Sequence, residues 1–277
     1  LTHDALTRFH ARHYHPSNAV FMTYGNFPVH EHQARIEELA LNRFERQAID
    51  LGMGSEQRLT APRQVTRHYA TDDTDVARKS HVLMSWLLGS SSDPQVLLRN
   101  RLLAGVLLDN SASPLRHALE TSSLGAAPSE LCGLDDSLRE STFTCGLEGC
   151  DDAESAAVEA LVLETLERVA REGVAPEAVS SVVHQVELGQ REVSGGGFPY
   201  GLQLMVRALS PALYGDDPCA ALDVDSVLDD IREETERDDF IPGLVRTRLL
   251  DNPHRVRLTM VPDPDLPEKA RADERAR

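Results

Sequence analysis

The order of the strand-like and helix-like segments after residue 64 most constrains the fold of this chain. VTRHYA (65–70) and KSHVLMSWLLG (79–89) are rich in β-branched, aromatic and apolar residues, which favours strands. Long helical patterns follow, such as DDAESAAVEALVLETLERVAREGV (151–174), and HRVRLTMVPD (254–263) predicts a last strand. Strands that lead, helices that follow and a strand that returns predict an α+β fold, in which helices cover one face of a mainly antiparallel sheet.

The first 47 residues predict a separate and smaller unit. A helix-like segment (2–14), a strand-like segment (18–27) and a second helix-like segment (28–47) follow one another. Residues 48–64 lose this periodicity and contain Gly52, Gly54 and Pro62, which is typical of a linker. We therefore divide the chain into a helix-strand-helix remnant of a preceding similar domain (1–47), a linker (48–64), a second domain (65–263) and the start of a charged helix (264–277).

The net charge of −17 limits the partners of this chain. An acidic surface repels phosphate backbones and anionic lipids, so we expect neither nucleic acid nor a membrane as a partner. No apolar run approaches the ~20 residues that cross a bilayer, and the first residues do not resemble a signal peptide. The charge is compatible with basic peptide ligands, but an acidic surface that is simply solvated by water is the more common explanation.

The four cysteines indicate a redox compartment, and the first residue indicates whether the chain is a fragment. No pair among Cys132, Cys145, Cys150 and Cys219 has C-x-x-C spacing, so we expect reduced thiols and a cytoplasmic location. Cys145 and Cys150 lie in one predicted strand, and a regular strand would place them on opposite faces. The chain begins with Leu1 and not with methionine, so we expect a fragment of a longer protein.

Histidines suggest metal sites at several places, but none of these places has a complete ligand set. His10, His13 and His15 are close in sequence, yet no carboxylate or cysteine nearby completes a tetrahedral set. Three further segments begin zinc-peptidase motifs but lack the second histidine, one helical turn away, that holds the ion. They are His30-Glu31, His117 to Glu120 and His184 to Glu187. We therefore predict no catalytic residue and no metal ligand in this chain.

Several segments, in the right order along almost the whole chain, resemble one peptidase family. They are Tyr14-His15-Pro16-Ser17-Asn18, Tyr24-Gly25-Asn26-Phe27-Pro28, SASPLRHALETSSLG (111–125), FTCGLEGC (143–150), FPYGLQLM (198–205) and DNPHRVRLTMVPD (251–263). By these segments the chain is similar to the pitrilysin–insulinase family of zinc metallopeptidases, in its presequence-protease branch. The resemblance implies that residues 1–47 end a first, catalytic-type domain and that residues 65–263 form a second domain of the same fold without the metal.

The resemblance also implies cofactor, substrate and contact residues. The family's zinc motif lies upstream of the segment that Leu1 matches, so zinc is expected in the full-length enzyme and not in this segment. Some relatives bind a peptide end on the second domain, near the turn that corresponds to Ser111–Ser113 and the strand near Leu131–Leu134, which implies Ser111, Ser113, Leu131, Gly133 and Leu134 as contact residues here. An exposed strand edge at Leu131–Leu134 could pair with an extended peptide. An ordinary turn and hairpin is the alternative reading of the same residues.

Two functional hypotheses remain after this comparison. In the first, the chain is a non-catalytic part of a zinc metalloendopeptidase that degrades unfolded peptides such as presequences, and it supplies chamber wall and substrate contacts. Its partners are then unstructured peptides and the remaining domains of the same polypeptide. In the second, the chain is a stand-alone, metal-free peptide-binding or scaffold protein, because a fold does not fix a function.

Overall fold

The computed structural model describes residues 2–49, 52, 54–191 and 199–276. The described chain divides into two compact units. The first comprises Leu1–Gly54 and Glu192–Asp223, and the second comprises Ser55–Arg191 and Val224–Arg277. The predicted boundaries at 47, 64 and 263 stay a prediction, and the pattern gave no sign that Glu192–Asp223 would join the first unit. Residues 50, 51 and 53 of the predicted linker lie outside the described residues.

The second unit contains both helices and strands, whereas helices alone occur among the described residues of the first. The helices are α1 (His3–His13), α2 (Val29–Leu39), α3 (Pro94–Leu108), α4 (Pro114–Glu120), α5 (Ser155–Glu172), α6 (Pro176–Arg191), α7 (Tyr200–Tyr214), α8 (Asp225–Thr235), α9 (Phe240–Val245) and α10 (Leu266–Ala276). The strands are β1 (Arg63–Ala70), β2 (Ser80–Ser90), β3 (Ala127–Pro128), β4 (Gly133–Asp135), β5 (Glu140–Cys150) and β6 (Arg255–Asp263). In the described part of the chain, no helix is long and apolar enough to cross a membrane.

The second unit is built on one six-stranded sheet. Its order is β1-β6-β2-β5-β3, and β4 also pairs with β5, beside β3. β1 runs parallel to β6, whereas the other pairs are antiparallel. The expected α+β fold with a mainly antiparallel sheet is confirmed. β1 and β4 lie at opposite ends of the sheet, so each has one edge that no described strand pairs.

The core lies between one face of this sheet and the helices of the second unit. Val82, Met84 and Trp86 alternate along β2 and are fully buried, as the two-residue period of a strand requires. The indole Nε1 of Trp86 donates a hydrogen bond to the carbonyl of Leu249 at 2.9 Å, so the buried polar group of this large side chain is satisfied. α3 and α5 carry buried leucines and valines that close the core from the helical side.

Local signals placed the start of α3 correctly. Asp93 is the N-cap, and its carboxylate accepts hydrogen bonds from the amides of Gln95 and Val96 at 2.9 and 3.4 Å. Pro94 occupies the first helical position, where no amide donor is needed.

The predicted orientation of Cys145 and Cys150 was wrong, because both thiols lie in the core. The pairing of β2 with β5 shifts between Ser80–Cys150 and Val82–Leu147, which marks an irregularity near Gly149. Gly149 has a φ of +70°, and a Cβ there would lie 2.5 Å from the Cβ of Ala126. The extra residue of this bulge reverses the facing of Cys150, so two positions that a regular strand would separate share one face.

The first unit lacks the predicted strand over residues 18–27. A short 3₁₀ turn covers Pro16–Asn18, residues 19–24 have no regular secondary structure, and residues 25–27 form a bend. A strand is stable only when its backbone donors and acceptors pair with a neighbour, and no described residue offers such a neighbour here. α1 and α2 contain no buried residue.

Candidate functional site

The predicted peptide-contact strand is shorter than the sequence suggested. β4 pairs Gly133 with Thr144, Leu134 with Phe143 and Asp135 with Thr142 of β5, so the strand begins at Gly133. Leu134 is half-buried against the core, which leaves main-chain groups rather than this side chain for a ligand. No strand in the described part of the chain pairs with the opposite edge of β4.

Leu131 precedes β4 and lies in a turn. Its amide donates a hydrogen bond to the Ser129 hydroxyl at 3.2 Å, and the amide of Cys132 donates to the Ser129 carbonyl at 3.1 Å. The amide of Ser129 in turn donates to the Gly146 carbonyl at 3.0 Å, which fastens the turn to β5. The expected strand edge at Leu131 is therefore absent, because the amide of this residue is already used. Its side chain is 65% exposed and remains available for contact.

The two serines before α4 differ in their exposure. Ser113 is 7% exposed, and its hydroxyl accepts a hydrogen bond from the Asn110 amide at 3.3 Å without capping the helix. It therefore stabilises the turn and exposes little surface to a ligand, and the contact between Ser113 and a peptide stays a prediction. Ser111 is exposed, and its side chain forms a hydrogen bond with the carboxylate of Glu120.

Arg116 and Glu120 were not identified from the sequence but belong to this site. Arg116 Nε donates to Glu120 Oε1 at 2.5 Å, across one turn of α4. Hydrogen bonds first from Arg116 and then from Ser111 hold the pKa of Glu120 below its ordinary value. The charge of Arg116 also acts on the half-buried thiol of Cys132, whose pKa is nevertheless raised because burial dominates. The i, i+4 spacing of arginine and glutamate on a predicted helix was the available signal.

Three carboxylates lie in β4 or directly beside it in the chain. Glu130 is exposed in the preceding turn, and Asp135 lies in the strand itself. The hydroxyl and then the amide of Ser137 lower the pKa of Asp135 by hydrogen bonding, so Asp135 is charged at neutral pH. Asp136 follows and is paired with Arg101 at 2.7 Å. An extended peptide on this edge would meet net negative charge, which favours basic peptides.

The histidines of the first unit have structural contacts. The ring of His10 stacks on Tyr14, and the ring of His13 stacks on Phe9, with centroids 4.7 and 4.0 Å apart. His15 Nδ1 accepts a hydrogen bond from the Ser17 amide at 3.1 Å and so caps the 3₁₀ turn.

The residues present do not fit a zinc site. Within the described ranges, no group of three His, Cys, Asp or Glu side chains could hold a metal ion. The glutamates of two near-motifs are already paired with arginine: Glu120 with Arg116 and Glu187 with Arg232.

The thiols are free, and two of them are deeply buried. No disulfide links the four cysteines, all of which are described. Burial holds the pKa of Cys145 well above its ordinary value and raises the pKa of Cys150 to about 11. Neither thiol is therefore a nucleophile at neutral pH.

Comparison with known proteins identifies the family of this fold. A protein-family model described as "Peptidase M16 inactive domain" matches residues 1–186. The mitochondrial presequence protease of Xenopus tropicalis is 31% identical over 266 residues, which cover 95% of this chain and 26% of that protein. Presequence protease 1, chloroplastic/mitochondrial, of Arabidopsis thaliana is 34% identical over 281 residues, which cover 99% of this chain and 26% of that protein. This chain thus spans about a quarter of the length of these relatives.

Solved structures share the fold at low sequence identity. A structure described as a peptidase M16 inactive domain from Pseudomonas fluorescens superposes with a TM-score of 0.63 at 12% identity, covering 95% of this chain and 58% of that one. A protease from Helicobacter pylori gives a TM-score of 0.64 at 13% identity, covering 95% of this chain and 60% of that one.

Proposed function

The chain belongs to the M16 peptidase family, and we propose that it is a non-catalytic, peptide-contacting segment of a longer zinc metalloendopeptidase. The match of residues 1–186 to the inactive domain of this family carries the proposal. The peptidase names of the relatives support the activity of the longer protein, and the zinc would be bound by residues outside this segment.

The free edge of β4 is the proposed contact for an unfolded peptide. An extended peptide can add to such an edge through main-chain hydrogen bonds, and the surrounding carboxylates favour basic sequences. Each bond contributes roughly 0.5–1.5 kcal/mol net, and a strand as short as Gly133–Asp135 offers few of them. We therefore expect weak binding by this segment alone, because ordering the peptide offsets most of the gain.

The exposed apolar residues of the first unit support its place in a larger assembly. Within this unit, large apolar side chains that are about half exposed or more include Leu6, Phe9, Phe21, Tyr24 and Phe27. Exposed large apolar side chains in this number favour a region that contacts another surface. We propose that the remaining domains of the same polypeptide cover it, and that residues 1–47 are the end of a preceding domain.

A titration of a basic, unstructured peptide into the purified chain tests the β4 contact. We expect weak binding that weakens with salt, together with slower hydrogen exchange at the amides of Gly133–Asp135. Glu130→Lys should weaken binding, whereas Glu167→Lys, at another exposed carboxylate, on α5, should leave it unchanged. Equal effects of the two variants, or protection elsewhere only, would place the peptide contact outside β4.

An activity assay on the same chain tests the non-catalytic assignment. We expect no cleavage of the peptide with added zinc and no effect of a chelator. Chelator-sensitive cleavage by the chain alone would refute the assignment of the active site to residues outside this segment.

A further inference from the structure

The outer edge of β1 is a second unpaired strand edge, and its chemistry differs from that of β4. β1 pairs with β6 in unbroken parallel register from Arg63–Val256 to Ala70–Asp263, and no described strand pairs with its other side. It contains no proline, and its register shows no bulge, two of the devices that block an edge, although it carries arginines and α10 contacts it. Six of its eight residues are exposed.

The main-chain groups of alternate β1 residues point away from β6. The carbonyl of Thr66 accepts a hydrogen bond from the Arg67 guanidinium at 2.9 Å, which indicates that the N–H and C=O of Thr66 face outward. Since the direction alternates along a strand, those of Gln64 and His68 face outward too. An added strand would pair with the main-chain groups of Gln64 and His68 and with the amide of Thr66. At the Thr66 carbonyl it would have to displace the Arg67 guanidinium, which is then released toward a carboxylate of the added strand.

Side chains of one face of β1 specify what could pair there. Val65 lies beside Leu258, which in turn lies beside Leu83, so these three residues form an apolar row on the face opposite the helices. Arg63 and Arg67 flank Val65 on the same face. Neither guanidinium lies within ion-pair distance of a carboxylate in the described part of the chain. Two unpaired positive charges with an apolar residue between them are thus presented along one edge of a chain whose net charge is −17.

We propose that the β1 edge binds an extended peptide segment of acidic–x–apolar–x–acidic pattern. Two-residue alternation places the apolar side chain beside Val65 and the two carboxylates beside Arg63 and Arg67. A second copy of this chain is a poorer occupant. Antiparallel pairing of two β1 strands would bring the arginines of both copies together, and like charges across a strand pair are destabilising.

Binding of a designed peptide tests this proposal. The probe is fluorescein-labelled Thr-Glu-Thr-Val-Thr-Glu-Thr with blocked ends, and the matched control peptide carries lysine in place of both glutamates. We expect the acidic peptide to bind about tenfold more tightly than the lysine peptide at low salt, which corresponds to about 1.4 kcal/mol. The combined substitution of Arg63→Glu and Arg67→Glu should invert this preference.

A backbone variant separates strand pairing from simple charge attraction. Thr66→Pro removes an outward amide that makes no bond to β6, so the second unit should still fold, as intact fluorescence of the buried Trp86 would report. Its affinity for the acidic peptide should fall about tenfold, whereas Thr66→Val, which keeps the amide, should bind like the wild-type chain. Binding of a basic peptide at β4 should be unaffected by either variant.

Three results would overturn the proposal. They are unchanged binding by Thr66→Pro, absence of binding to both peptides at millimolar concentration, and a concentration-dependent dimer of the wild-type chain that Thr66→Pro abolishes. The last result would assign the β1 edge to a second copy.

Discussion

Glu140 fastens the segment that precedes β1, and replacing it should measurably destabilise the second unit. The Glu140 side chain is 7% exposed and accepts three hydrogen bonds. The Glu56 amide donates to it at 2.7 Å, and Arg58 donates through Nη1 at 3.2 Å and through a short contact from Nη2. The amide of Leu59 donates to His254 Nδ1 at 3.2 Å and completes the attachment.

The magnitude follows from these contacts. A hydrogen bond to a charged group contributes roughly 1.5–3 kcal/mol, and removing one partner of a buried pair costs more. Arg58 is 46% exposed, however, so water screens its attraction and can solvate it after the substitution. Glu140→Gln keeps the shape and one acceptor oxygen. We therefore expect it to lower the free energy of unfolding of the second unit by about 2 kcal/mol.

Urea unfolding followed by fluorescence measures this effect, because Trp86 is the single tryptophan and is buried in the core of the second unit. Glu120→Gln is the matched control: it removes an arginine partner on a solvent-facing helix surface, and its midpoint should match that of the wild-type chain. An unchanged midpoint for Glu140→Gln, or an equal loss in the control, would refute the role of Glu140 in fastening this segment.

The same attachment predicts a pH dependence in two steps. His254 must be neutral at Nδ1 to accept the hydrogen bond from the Leu59 amide. Its pKa lies below 6.5 because of burial and the charge of Arg58. Arg63 lowers this pKa further, whereas Glu56 and Glu140 raise it. Burial alone would raise the pKa of Glu140, but the bonds from Arg58 and Glu56 hold it below 4.5. Both folded-state pKa values are depressed, so stability is complete above pH 6.5 and falls with acidification, first through His254 and then, below pH 4.5, through Glu140. Glu140→Gln should remove the second step. It should also enlarge the first, because Glu140 no longer opposes the lowering of the His254 pKa, and urea midpoints between about pH 7 and 3.5 would show both changes.

Four further outcomes are expected. Limited proteolysis should cut the wild-type chain before Ser55, and the Glu140→Gln chain also within residues 55–60; identical fragment patterns would contradict the attachment. Gly149→Val should destabilise the second unit, because φ is +70° and Ala126 leaves no room for a Cβ; a wild-type urea midpoint would contradict this. Gly201→Ala should loosen the first unit, where a Cβ would lie 2.0 Å from the Tyr24 ring, as faster hydrogen exchange in α7 with unchanged Trp86 fluorescence would show. A thiol reagent at about pH 8 should label exposed Cys219 rapidly and the buried thiols only on unfolding; rapid labelling of all four thiols would contradict the burial.

Where a structural element depends on neighbours in sequence, the sequence predicted it. The start of α3 at Asp93–Pro94 needs only an acceptor side chain and a residue without an amide donor, and the sequence shows both. The prediction of a strand over residues 18–27 was wrong for the opposite reason. Its apolar and aromatic residues favour a strand, but pairing requires a neighbour that no described residue supplies.

The candidate site shows the same distinction at the level of single residues. Sequence alone placed Ser113 and Leu131 in the site by resemblance, whereas the structure uses the Ser113 hydroxyl and the Leu131 amide to stabilise turns. Cys150 changed face because of one extra residue at Gly149, which no alternation pattern reports.

If both proposed contacts hold, opposite charge at the two free edges would make the single sheet selective in a way that net charge does not reveal. At one end, Glu130, Asp135 and the paired Asp136 lie in or directly beside β4 in the chain, which favours basic peptides. At the other end, β1 presents Arg63 and Arg67 without carboxylate partners in the described part of the chain. Main-chain pairing is nearly independent of sequence, so the flanking charges decide which peptide occupies which edge. A basic peptide would thus be held at β4 and repelled from β1, and the sheet between them would carry two ligands of opposite charge without competition.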